Sequence, residues 1–147
     1  METHLVCCIS VGSLQCPDNW NLHGSSCLLG VSSAKTWPEA EVYCKEQHAV
    51  LVKADSDAKI SAVSSIQGSE ASWIGLRDDK YNLKYRWFDG SDLDYSNWDS
   101  EKPFHYSRMH CAIMKHGSGG KWIPYYCKDD LWRNPFCKKK AIARSKY

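Results

Sequence analysis

Apolar residues recur along this chain with two different periods, and the change from one period to the other lays out the elements. Trp37, Ala40 and Cys44 stand three and four apart, the spacing that puts side chains on one face of an α-helix. Ser33 or Thr36 offers an oxygen to cap that helix, Glu39 and Glu41 set negative charge near its start, and Pro38 suits its first turn. Ile60 and Val63 predict a second amphipathic helix, opened by Asp55 or Ser56 and ended near Gly68. Elsewhere the pattern shortens to continuous apolar runs at 50–52 and 73–76, each suited to a buried strand. Trp87 and Phe88 lead into Asp89-Gly90, a turn signal. From about Asp94 to Arg108 the periodicity dissolves into polar and aromatic residues, and a loop this long in a compact domain is usually functional or disordered.

Length and composition narrow the class. A chain of 147 residues accommodates one domain with a real core. Its 43% hydrophobic and 24% charged residues fit a folded globule, and no apolar run is long enough for a membrane span. A net charge of +2 is too small to suggest nucleic acid. The surplus sits at the end, in Lys138, Lys139, Lys140, Arg144 and Lys146, and reads as a solvated, frayed terminus.

Eight cysteines point to an oxidising compartment, hence a secreted, extracellular protein. There is no Cys-x-x-Cys pair, and the six histidines form no His-Glu-x-x-His frame, so no zinc or other cofactor is expected. Cys7 and Cys8 lie in a short apolar stretch, 5–11, with the character of a secretion-signal core. The expected organisation is a leader or disordered N-terminus over 1–14, a domain over 15–140 and a basic tail over 141–147. Cys16, Cys27, Cys44, Cys111, Cys127 and Cys137 remain for the domain, and their spacing alone chooses no pairing. If Cys7 and Cys8 are retained they can bridge two chains, and the oligomeric state stays open.

From about Cys16 to Lys138 an ordered set of residues resembles the long-form C-type lectin-like domains. Cys16-Pro17, Trp20 and Cys27 match that family's extra N-terminal hairpin; Trp37, Ala40 and Cys44 its first helix; Trp73-Ile74-Gly75-Leu76 its central strand. Residues 87–90 with Tyr95, Asn97 and Trp98 match the approach to its long loop, and Cys111, Trp122, Cys127 and Cys137 its closing strands. The resemblance implies an α+β fold, with two helices flanking antiparallel sheets, a long loop and three disulfides: Cys16 to Cys27, Cys44 to Cys137 and Cys111 to Cys127.

Sugar-binding members of that family hold calcium with Glu-Pro-Asn or Gln-Pro-Asp in the loop and Trp-Asn-Asp on the following strand, because calcium takes six to eight oxygen ligands. Here Lys102-Pro103-Phe104 and Trp122-Ile123-Pro124 stand in those places. Met109 and His110 occupy positions that are often acidic; for an auxiliary site Asp78 matches, but Asn82 and His105 do not. The resemblance therefore implies no calcium-dependent sugar binding. The residues singled out for ligand binding are Lys102, Phe104, His105, Tyr106, Arg108, His110 and Tyr125, since aromatic rings and cations suit a docking surface. A loop released from calcium also accepts such a set by drift. Alternation along a strand would bury one of Tyr125 and Tyr126 and expose the other. Nothing supports an enzyme. The leading reading is a calcium-independent receptor or decoy module recognising an extracellular protein; the alternatives are a glycan-binding lectin without the usual calcium site and a toxin or inhibitor subunit.

Overall fold

A computed structural model describes residues 13–78, 80, 84–100, 110–117, 119–127 and 133–143. Helix α1, Trp37–Glu46, starts in a reciprocal cap: Thr36 Oγ1 accepts from the Glu39 N–H at 3.4 Å and Glu39 Oε1 accepts from the Thr36 N–H at 3.0 Å. Helix α2, Asp57–Ile66, is capped by Ser56, whose Oγ accepts from the Lys59 N–H at 3.2 Å. Of the two candidates at each helix start, the structure selects the one immediately before the first helical residue.

Ten short strands accompany the helices: β1 Leu14–Gln15, β2 Asn21–His23, β3 Ser26–Gly30, β4 Val50–Leu51, β5 Ser72–Arg77, β6 Arg86–Trp87, β7 Cys111–Met114, β8 Trp122–Tyr125, β9 Asn134–Lys140 and β10 Ile142–Ala143. Eight form one sheet in the order β2-β3-β9-β5-β7-β8, with β4 on β9 and β6 on β5. Its pairings are antiparallel apart from β5 with β9, which run parallel, so the sheet is mixed. Strands β1 and β10 form a separate ribbon, pairing Leu14 with Ala143 and Gln15 with Ile142. The folded unit thus extends past Lys140 into the expected basic tail and takes in Leu14 from the expected lead-in.

Strand β9 corrects the reading of the lysine cluster. Lys138, Lys139 and Lys140 stand opposite Leu28, Cys27 and Ser26 in the middle of the sheet, not in a frayed end. Lys138 and Lys139 are half-buried and Lys140 is exposed. Lys139 shows how this is stabilised: its Nζ donates to the Gln47 carbonyl at 2.9 Å and lies 4.4 Å above the Trp20 ring. Charge counting along the sequence could not see this, because the partners of the strand, β3 and β4, lie far away along the chain.

Alternate residues of β5, β7 and β9 feed two cores on opposite faces of the sheet. Trp73, Ile113 and Cys137 pack with Trp37, Ala40 and Cys44 of α1. Ile74, Leu76, Met114 and Phe136 pack with Ile60 and Val63 of α2. Gly75 sits where β4 passes closest: a Cβ there would lie 2.8 Å from the Leu51 carbonyl oxygen. The three disulfides are those the resemblance implies. Cys44–Cys137 joins α1 to β9 across 93 residues, and closing a loop of that size is worth about 4 to 5 kcal/mol in the chain-entropy model. Cys111–Cys127 ties the start of β7 to the chain leaving β8.

Candidate functional site

The face of interest lies where the chain leaves the sheet after residue 98 and rejoins it at β7. On the leaving side Trp98 bridges in parallel register to Trp122, with the Trp122 N–H donating to Asn97 O at 2.9 Å and the Asp99 N–H to Trp122 O at 2.8 Å. Trp98 is half-buried and stacks edge to face on Trp122 at 5.6 Å and on Tyr85 at 5.0 Å. Asn97 donates from Nδ2 to the carbonyls of Gly119 (3.1 Å) and Gly120 (2.9 Å), and its Oδ1 accepts from Lys121 Nζ at 3.2 Å. These bonds fix the stalk of the loop to the β7–β8 turn.

On the rejoining side His110 accepts at its backbone carbonyl from the Asp78 N–H at 2.8 Å, and its Nδ1 stands 3.6 Å from Asp78 Oδ2. Only 13% of the His110 side chain and 1% of the Asp78 side chain are exposed. His110 is therefore placed inward against a buried carboxylate at the foot of the loop. Burial, followed by the charge of Asp78, pushes the Tyr85 hydroxyl well above the usual tyrosine range.

Tyr125 ends β8 and is half-buried, as is Tyr126, so strand alternation does not separate the two rings. The reason is local: Tyr126 already lies beyond the strand, where the period of two no longer applies. The Arg133 guanidinium covers the Tyr125 ring at 4.7 Å and its Nη2 donates to the Tyr125 hydroxyl at 2.6 Å. Arg133 is absent from the sequence reading. It is brought here by an isolated bridge to Lys35, a long-range register that no local pattern announces. Lys102, Phe104, His105, Tyr106 and Arg108 lie outside the described residues.

The strand that carries one half of the family's calcium site does not fit the ion. At its start Trp122 is fully buried, while Ile123 and Pro124 pair opposite Ile113 and Ala112. None of the three offers a side-chain oxygen, and calcium binds through oxygen. Among the described residues no group of three His, Cys, Asp or Glu is arranged to hold a metal ion, and no helix is long and apolar enough to cross a membrane.

Comparison with known proteins agrees with this architecture. Residues 33–139 match the family model for the lectin C-type domain. Over 130 residues the chain is 33% identical to C-type lectin domain family 17, member A, of Homo sapiens, covering 87% of this chain and 33% of that protein. It is 28% identical over 133 residues to Lithostathine-1-beta of Homo sapiens, covering 86% of this chain and 75% of that one. A solved calcium-independent type II antifreeze protein superposes with a TM-score of 0.80 at 28% identity, covering 88% of this chain and 98% of that one. The chain spans only about a third of the length of the first of these relatives. A family match over most of the described core, the implied disulfide set and the shared fold lead to one conclusion: this chain belongs to the C-type lectin domain family.

Proposed function

We propose that this chain is a secreted, calcium-independent ligand-binding module that recognises a protein through the face carrying the long loop. The observation that carries the reading is strand β8, where Ile123 and Pro124 replace the oxygen donors a calcium-held sugar would need. Lys102-Pro103-Phe104 in the loop extends the same replacement. A calcium-independent antifreeze protein of the same fold supports the view that the scaffold works without the ion.

Protein recognition is favoured by aromatic and cationic chemistry beside the loop and at the end of β8, where Tyr125 packs on the α1 side of the sheet. Tyr125 is locked under Arg133, a rigid aromatic and guanidinium pair of the kind enriched at binding hot spots. Lys102, Phe104, His105, Tyr106 and Arg108 give the loop the same character in sequence, while His110 is turned inward against Asp78 at its foot. The module acts as a receptor or decoy and performs no catalysis. The test is retention of extracellular proteins by the immobilised domain, run beside a glycan array, each with millimolar calcium and with chelator. Expected are a protein retained equally in both conditions and an unmarked array; glycan binding that disappears with chelator overturns the reading.

A further inference from the structure

The end of the β5–β6 hairpin carries two arginines that the described residues leave largely unneutralised. Register sets Arg77 directly opposite Arg86, so two guanidinium-bearing side chains share one face of the hairpin. Like charges opposite one another destabilise a strand pair unless something compensates them. The Arg77 guanidinium lies 4.7 Å over the Trp37 ring, which holds its plane while using none of its N–H donors. Arg77 Nε and Arg86 Nη1 are both buried without a hydrogen-bond partner among the described residues. Arg86 Nε reaches Asp92 Oδ1 at 3.4 Å, but that carboxylate is 62% exposed and such a pair is weak. Among the described residues no carboxylate lies within ion-pair distance of Arg77.

The two arginines also line a cleft of about 260 Å³ between α1 and the hairpin, together with Trp37, Glu41, Lys80 and Phe88 among others. Its three cations face one carboxylate. Phe88 is 39% exposed and gives the cleft an apolar wall. The volume falls just below the ~300 to 1,000 Å³ usual for drug-sized ligands, which suits a ligand the size of one sugar ring. A guanidinium fork donates two parallel N–H bonds to one oxyanion, and a stacked, pre-oriented fork loses little freedom in doing so. Two guanidinium side chains and an ammonium lining one cleft with a single carboxylate make it electropositive, the character an anion site needs.

We propose that this cleft binds an oxyanion group, carried on a body the size of a monosaccharide, with Arg77 and Arg86 gripping the anion, Lys80 adding charge and Phe88 packing against the body. The cleft includes no residue of the loop at 101–109, so it stands or falls separately from the function proposed above. Sulfate esters, phosphate esters and carboxylates share the chemistry, and the test distinguishes them. Amide chemical shifts of the isotopically labelled protein are followed during titration with glucose 6-sulfate, glucose 6-phosphate, glucuronate and neutral glucose. Saturable shifts at Arg77, Arg86 and Phe88 are expected with one or more anionic sugars and not with glucose, and the tightest of the three names the anion. Arg86→Gln should weaken that sugar about tenfold or more, in line with loss of a charge-assisted hydrogen bond. Lys80→Gln, at an exposed position, should weaken it less, and guards against a variant that fails to fold. Absence of saturation by every anionic sugar, equal shifts with glucose, or unchanged affinity in both variants would overturn the proposal.

Discussion

Two regions flank the central sheet with similar residue types and opposite uses of them. At the stalk of the long loop, Asn97 satisfies two glycine carbonyls and one lysine, Lys115 Nζ lies 3.4 Å from Asp99, and Trp122 is packed against Trp87, Tyr95 and Trp98. At the β5–β6 end, Arg77 and Arg86 keep buried donors without acceptors among the described residues. Even the stalk has an orphan, the buried indole N–H of Trp122, but it is neutral and surrounded by rings. The difference teaches where polar groups serve the fold and where they await something else. A satisfied donor contributes to stability, whereas an orphaned cationic donor lowers it unless a partner arrives.

The largest effect that can break this contrast is at the stalk. Trp122→Ala removes a ring with 0% exposure that three aromatic side chains contact edge to face. It should cost about 3 to 5 kcal/mol. Trp122→Phe should cost clearly less, since the lost N–H has no partner among the described residues. Urea unfolding midpoints at constant slope measure both. A Trp122→Ala cost below that of Trp122→Phe would mean the ring cluster does not hold the stalk.

The next effect sharpens the contrast by pairing one substitution from each region. Asn97→Ala strands the Gly119 and Gly120 carbonyls and frees Lys121, at a cost of about 1 to 3 kcal/mol. Arg86→Gln removes one of two opposed cations and a weak surface pair, so in the absence of ligand its effect should lie within about 0.5 kcal/mol of zero or be stabilising. Thermal and urea unfolding of both variants under one buffer decides the matter. A larger loss in Arg86→Gln than in Asn97→Ala would make the arginine pair a structural device.

How much of this was legible beforehand follows from the range of each interaction. Helix α1 was readable because its cap and its buried Trp37, Ala40 and Cys44 all lie within one short window. Strand β5 was readable because burial on both faces makes it continuously apolar. The role of β9 was not, since three consecutive lysines carry a surface signature until β3 pairs with them. The candidate site divides in the same way. His110 and Tyr125 were visible as residues, but Asp78 against one and Arg133 over the other depend on pairings across long stretches of chain. The Arg77 and Arg86 pair was invisible for that reason too: nine positions apart in sequence, they meet only through the β5–β6 register.

The smallest predicted effect lies in the turn that follows β6 and is read in acid. Asp89 accepts from the Ser91 hydroxyl at 2.6 Å and from the Ser91 N–H at 2.9 Å, with Lys53 Nζ at 3.1 Å on its other oxygen. The side-chain hydrogen bond from Ser91 is the leading cause that lowers its carboxyl from 3.8 to about 2, followed by the backbone bond and by Lys53. A depressed carboxylate contributes stability that is present above its unfolded value and fades as pH falls through its folded one. The window is therefore from about pH 4 down to about pH 2. The side chain is 43% exposed, so solvent screening limits the effect to about 0.5 kcal/mol or less. Asp89→Asn should flatten the fall in stability across that window by this small amount while leaving the stalk variants' costs unchanged at neutral pH. Carboxyl titration by NMR supplies the direct measurement: an Asp89 value near 3.8 would show that Ser91 and Lys53 do not hold its charge in this turn.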